Sequence, residues 1–114
     1  EELTETSTTS LTFINKLRLL LIPTVGNYMI KWTYTWRTSS LNNLFVKVEL
    51  NDGNIIHSHT ETPSSLSGQE LTTSGWHIVF LDDAYYNIHL DYAADSGSTS
   101  FLKNAQLCVF KLSI

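Results

Sequence analysis

The stretch "NYMIKWTYTWR", residues 27–37, constrains the fold more than any other part of the chain. Tyr28, Ile30, Trp32, Tyr34 and Trp36 occupy every second position, with Met29, Lys31, Thr33, Thr35 and Arg37 between them. Successive side chains of a strand point to opposite faces, so this order puts the rings on one face and a mostly polar set on the other. The polar side faces water, which turns the ring side inward against a second layer. The row therefore predicts a core strand of a two-layer all-β protein. Its width also suits extension into a seam between subunits, where aromatic residues are enriched.

The rest of the chain repeats this period in short segments, broken by turn signals about every ten residues, as all-β sandwiches and barrels are. "LTFINKLRLLLI" reads as a first strand or strand pair, closed by Pro23 and the turn residues Gly26 and Asn27. In "LFVKVEL", Leu44, Val46, Val48 and Leu50 point inward, and Phe45, Lys47 and Glu49 form the wet face. Asp52-Gly53 is a hairpin signal joining that strand to "NIIHSHT". Residues 61–74 read as a polar crossing between sheets. "GWHIVFL" and "YYNIHLDY" read as a hairpin around Asp82 and Asp83. The closing segment "FLKNAQLCVFKLSI" reads as a central strand with Cys108 in the core. These segments predict about seven to nine strands, an antiparallel two-sheet jelly roll. Residues 1–10 read as a polar N-terminal arm without a packing pattern, and residues 11–114 as a single domain.

Composition excludes several classes of function. A net charge of −4, with no basic run, leaves no electrostatic footprint for nucleic acid. The apolar run "LRLLLI" falls far short of the roughly 20 residues that a membrane-crossing helix needs. A single cysteine forms no internal disulfide and no cysteine-type zinc site. No Gly-x-Ser-x-Gly elbow and no glycine-rich phosphate loop occur, so no catalytic residue and no cofactor are expected.

Three features remain to be weighed as sites. In "HSHTE", His57, His59 and Glu61 alternate on one strand face, where histidines can ligate a metal with His77 or His89 as a further ligand. The trio resembles the first motif of the cupin jelly rolls, but Gly53 stands too close, Glu61 too near His59, and no second motif follows. An exposed strand face beside a hairpin is the simpler reading. Asp82, Asp83, Asp91 and Asp95 lie in predicted turns, where aspartates usually satisfy backbone donors and only occasionally hold calcium. Trp32, Trp36 and Trp76 raise a carbohydrate-binding module as an alternative, although Trp32 and Trp36 belong to the inward row.

Taken in order, "GNYMIKWTYTWRTSS", "VKVELNDGNIIHSHTETP" and "LDDAYYNIHLDYAADSGSTSFLKNAQLCVFKL" resemble bacteriophage structural proteins with a jelly-roll domain of the tumour-necrosis-factor and C1q shape. The pattern spans roughly residues 11–114. Gly-x-Tyr opens a strand ending in Trp-x-Tyr, an Asp-Gly turn follows, and a later "I-x-L-x-Y" strand leads through a Gly-Ser-Thr loop to the final strand. "DDAYYN" lacks the glycine usual before the later tyrosine strand. The resemblance implies a non-enzymatic homotrimer on the virion exterior, as a capsid decoration, head-fibre or tail-fibre domain. Its implied partners are phage capsid or tail proteins, or a host-surface glycan; it implies no metal.

Overall fold

A computed structural model describes residues 1–51, 53–63 and 69–112. Their regular structure is all strand: β1 (Thr6–Thr8), β2 (Ile14–Leu21), β3 (Gly26–Thr38), β4 (Leu44–Leu50), β5 (Ile55–Glu61), β6 (Leu71–Leu81), β7 (Tyr86–Ala94) and β8 (Ser100–Lys111). They form two four-stranded antiparallel sheets, ordered β1-β8-β3-β6 and β2-β7-β4-β5. Only β4 and β5 are neighbours both in sequence and in a sheet. Every other connection passes between the sheets, so most strand contacts join distant parts of the chain.

The aromatic row is the core. Tyr34 and Trp36 of β3 pack with Leu44, Val46 and Val48 of β4, Ile88, Leu90 and Tyr92 of β7, and Leu102 of β8, all almost fully buried. Side chains of this size contribute about 1.5–3 kcal/mol each on burial. Along β3 the register with β6 runs unbroken from Gly26–Leu81 to Trp36–Leu71.

The hairpin between β4 and β5 is present, with Leu50 N–H donating to Asn54 O at 2.9 Å. Asn51 and Gly53 both have positive φ, 58° and 92°, which suits a tight turn. Asp52 of the predicted Asp-Gly signal lies outside the described residues, as do residues 64–68 of the polar connection and residues 113–114 of the last segment. The polar lead-in supplies β1, which pairs with β8, and the Lys16 ammonium donates to Thr4 O at 2.6 Å and Thr6 Oγ1 at 2.8 Å.

Three sequence expectations are corrected. Residues 76–81 and 86–92 are not a hairpin: β6 pairs with β3, and β7 with β2 and β4. The stretch 82–85 turns between sheets instead, with the Asp82 carboxylate accepting from Ala84 N–H at 3.2 Å and Tyr86 O–H at 2.8 Å. Residues 71–74 are not crossing chain but the start of β6, polar because Thr72 and Ser74 point outward to meet Thr35 and Thr33. Cys108 is exposed rather than core. The register of β3 with β8 shifts between Thr33 and Thr35, where Asn104 takes a left-handed φ of 51°. One extra residue in a strand moves everything after it to the other face. Beyond this bulge Ala105 and Leu107 point inward and Cys108 points out.

Candidate functional site

Chemistry-bearing side chains gather in three places. The first lies between the sheets, where β5 faces the aromatic row. The Tyr34 hydroxyl stands 2.9 Å from His57 Nε2 and 2.7 Å from His59 Nδ1, and His59 Nε2 stands 2.7 Å from Glu61 Oε1. With both histidines neutral, one arrangement satisfies every contact. His59 Nε2–H donates to the Glu61 carboxylate, Tyr34 O–H donates to His59 Nδ1, and His57 Nε2–H donates to the Tyr34 oxygen. The His57 ring also packs on Trp32 at 4.9 Å between centroids, and the His59 ring meets Trp36 edge-on at 5.6 Å. The simpler sequence reading of this strand face is thus corrected: His57 and His59 point into the molecule, where the Tyr34 hydroxyl and the Trp32 and Trp36 rings supply their polar and aromatic partners.

The cluster gives the fold a pH dependence of known sign. Burial, with the neighbouring His59 as a smaller cause, holds the His57 pKa below its ordinary 6.5. The unfolded chain therefore binds a proton more readily than the folded one. Stability from this group is complete above pH 6.5 and is lost as pH falls through 6.5 towards the lower folded value. Glu5 and Glu49, held low by Arg37 and Lys47 respectively, act only below about pH 4.5. Melting curves are expected to show a falling Tm between pH 7 and 5, and His57→Gln to flatten that slope. A wild-type profile that is level across this window would contradict the assignment.

His77 and His89 join neither imidazole. In register, His77 on β6 lies opposite Ile30, while His89 on β7 lies opposite Glu49 in the other sheet. The second cluster forms there. His89 Nδ1 is 2.7 Å from Asp91 Oδ2, Asn15 donates to Asp91 Oδ1 at 3.0 Å, and Lys47 and the Gly53 N–H both engage Glu49. Glu49, His89 and Asp91 are all buried, with ligand-type atoms within 4.8 Å of one another, the one such group among the described residues. Glu49 was expected on the wet face; cross-strand neighbours cover it. Each carboxylate already accepts from protein donors, and the Lys47 ammonium sits where it opposes a cation. The arrangement reads as a polar lock across β2, β7 and β4. Of the aspartates considered for calcium, Asp91 is in this lock, and Asp82 and Asp95 accept from nearby backbone N–H groups.

The third place is the outer face of the β1-β8-β3-β6 sheet. Cross-strand register sets Trp76 beside Lys31 and Cys108, and Ile78 beside Met29 and Phe110. The next rows are polar: Ser74 with Thr33 and Gln106, then Thr72 with Thr35. One half of the face is thus apolar and the other hydroxyl-rich. Trp76 and Phe80 are 62% and 61% exposed, and Ile78 and Phe110 also stand open to solvent. Where the halves meet lies a depression of about 390 Å³ bounded by Trp76, Phe110, Lys31 and Gln106. Of the three tryptophans weighed in the sequence, only Trp76 is offered to solvent; Trp32 and Trp36 are core. Alternation within "SGWHIVF" separates Trp76, Ile78 and Phe80 from His77 and Val79, but does not say which set faces out.

No family model matches the chain, and no curated protein matches it.

Proposed function

We propose that this chain is a non-enzymatic jelly-roll domain of a phage virion, a homotrimeric capsid decoration or head- or tail-fibre domain, that displays the outer face of the β1-β8-β3-β6 sheet as its contact surface. The observation that carries this reading is the set Trp76, Ile78, Phe80 and Phe110, exposed together on one sheet face. Soluble monomers rarely leave contiguous apolar patches of more than a few hundred Å² uncovered without a binding role. The strand orders β1-β8-β3-β6 and β2-β7-β4-β5, with sheet-crossing connections everywhere but at β4–β5, support the jelly-roll form. The resemblance of the three quoted segments to phage jelly-roll proteins supports the virion setting. The histidine cluster is taken up in holding the sheets together, which supports a binding role over catalysis. Three copies carrying one weak site each multiply their hold through effective concentration.

The trimer is tested by light scattering coupled to size exclusion. A mass near three times the 12.9 kDa of one chain is expected at micromolar concentration. A single species of one-chain mass would remove it.

A second reading, a carbohydrate-binding module, is favoured by the depression beside Trp76. An open indole next to hydroxyl-bearing rows suits stacking of a sugar ring with hydrogen bonds to its hydroxyls.

A further inference from the structure

We propose that the depression on the outer face of the β1-β8-β3-β6 sheet binds a carboxylate-bearing sugar, the Trp76 ring stacking on the sugar and Lys31 taking its carboxylate. The proposal rests on the carbohydrate-binding reading and names the ligand class.

Four observations carry it. First, the depression measures about 390 Å³, within the roughly 300–1,000 Å³ typical of small-ligand sites. Second, its walls pair large apolar rings, Trp76 and Phe110, with polar side chains. The electron-rich face of an aromatic ring attracts the weakly positive C–H groups of a sugar. Third, Thr33 and Ser74 share a hydrogen bond of 2.9 Å, and Thr35 and Thr72 one of 3.0 Å, on the solvent side. Each pair keeps a hydroxyl hydrogen and lone pairs to offer, so the rows form a ladder along which a polyhydroxylated chain can lie. A hydrophobic peptide would leave that ladder unmatched.

Fourth, Lys31 is the single cation lining the depression. Among the described residues it makes no ion pair or hydrogen bond; its ammonium lies 6.0 Å from the centroid of the Phe110 ring. Lys16, Arg37, Lys47, Lys103 and Lys111 all hold oxygen partners, and Arg18, the remaining cation, lies on β2 in the other sheet. In a chain of net charge −4, an uncommitted ammonium set between two exposed rings is a selective feature for an anion. Gln106 gives its amide N–H to Glu1 at 2.9 Å, keeping its carbonyl oxygen for a sugar hydroxyl.

The test uses the fluorescence of Trp76, the one tryptophan open to solvent. Two matched pairs of probes separate charge from ring: oligogalacturonate against its methyl ester, and sialyllactose against lactose. At least one acid is expected to quench and shift the emission saturably. Its neutral partner and the Lys31→Gln variant are each expected to bind about tenfold more weakly, the loss of one charge-assisted hydrogen bond. Trp76→Ala should abolish binding when calorimetry replaces fluorescence. Both side chains are exposed, so unchanged melting curves will show that these variants fold. Equal binding of acid and neutral partner, or an unaffected Lys31→Gln variant, overturns the carboxylate assignment. Absence of saturable binding by either acid, or equal saturation by a polyglutamate peptide, overturns the sugar site. The trimer mass is measured without glycan, so either idea can fail alone.

Discussion

Gly75→Ala is expected to destabilise the fold by about 1–3 kcal/mol, and Gly75→Val by more, from overpacking against a fixed ring. Glycine within a strand normally costs stability, because the unfolded chain has more freedom to lose, so replacement by alanine is ordinarily neutral or favourable. Here the opposite sign follows from Trp32. A Cβ on Gly75 would lie 2.6 Å from Trp32 Nε1 and 2.7 Å from Cε2 and Cζ2, inside any real contact. The indole has nowhere to retreat: it is buried, and His57 packs on its face. Its Nε1–H has no acceptor among the described residues, so the ring is seated by shape rather than by a hydrogen bond. Urea denaturation of the two variants checks the sign and size. A double-mutant cycle with Trp32→Leu should show the two losses to be strongly non-additive, since the smaller side chain frees the space a Cβ needs. A Gly75→Ala protein as stable as the wild type would mean that the indole is mobile.

Tyr34→Phe is expected to cost about 2 kcal/mol, within the usual range for stranding buried polar groups. The phenyl ring fills the same space, so packing is retained and only the hydroxyl is lost. That one oxygen supplies partners to both His57 and His59, and its removal leaves two ring nitrogens facing an apolar wall. Burial holds the Tyr34 hydroxyl protonated well above its ordinary range, so at neutral pH it is always present as a donor. Denaturation at pH 7.5 measures the loss. Nitrogen chemical shifts of the imidazoles supply a second readout, because the chain His57→Tyr34→His59→Glu61 fixes one tautomer on each ring. Unchanged stability together with unchanged tautomers would show that the hydroxyl does not bridge the sheets.

Much of the architecture was legible because alternation is a local property. Tyr28 to Trp36 read directly as an inward row, and the β4–β5 hairpin as two alternating runs around a turn. Errors arose where a local rule met a non-local fact. The phase of β8 depends on the bulge at Asn104, so alternation alone puts Cys108 on the wrong face. "GWHIVFL" and "YYNIHLDY" are separated by a stretch that suits a hairpin, yet each strand found a better partner far along the chain. The polar residues 71–74 resemble a loop until the hydroxyls of Thr33 and Thr35 are seen opposite them.

The site divided in the same way. "HSHTE" announced imidazoles on one face but not that Tyr34 waits between them, since residues more than twenty positions apart meet only when the sheets close. Trp76 looked no different from Trp32 and Trp36 as a letter. By itself the sequence determined that the chain forms strands and that the β3 rings are buried, because periodicity and side-chain size are set residue by residue. Tertiary structure alone decided which edge each strand meets, which face of β6 looks outward, and therefore that Lys31, Trp76 and Phe110 share one hollow. Pairing between sheets is a competition among all the strands at once, and its outcome is written in no single segment.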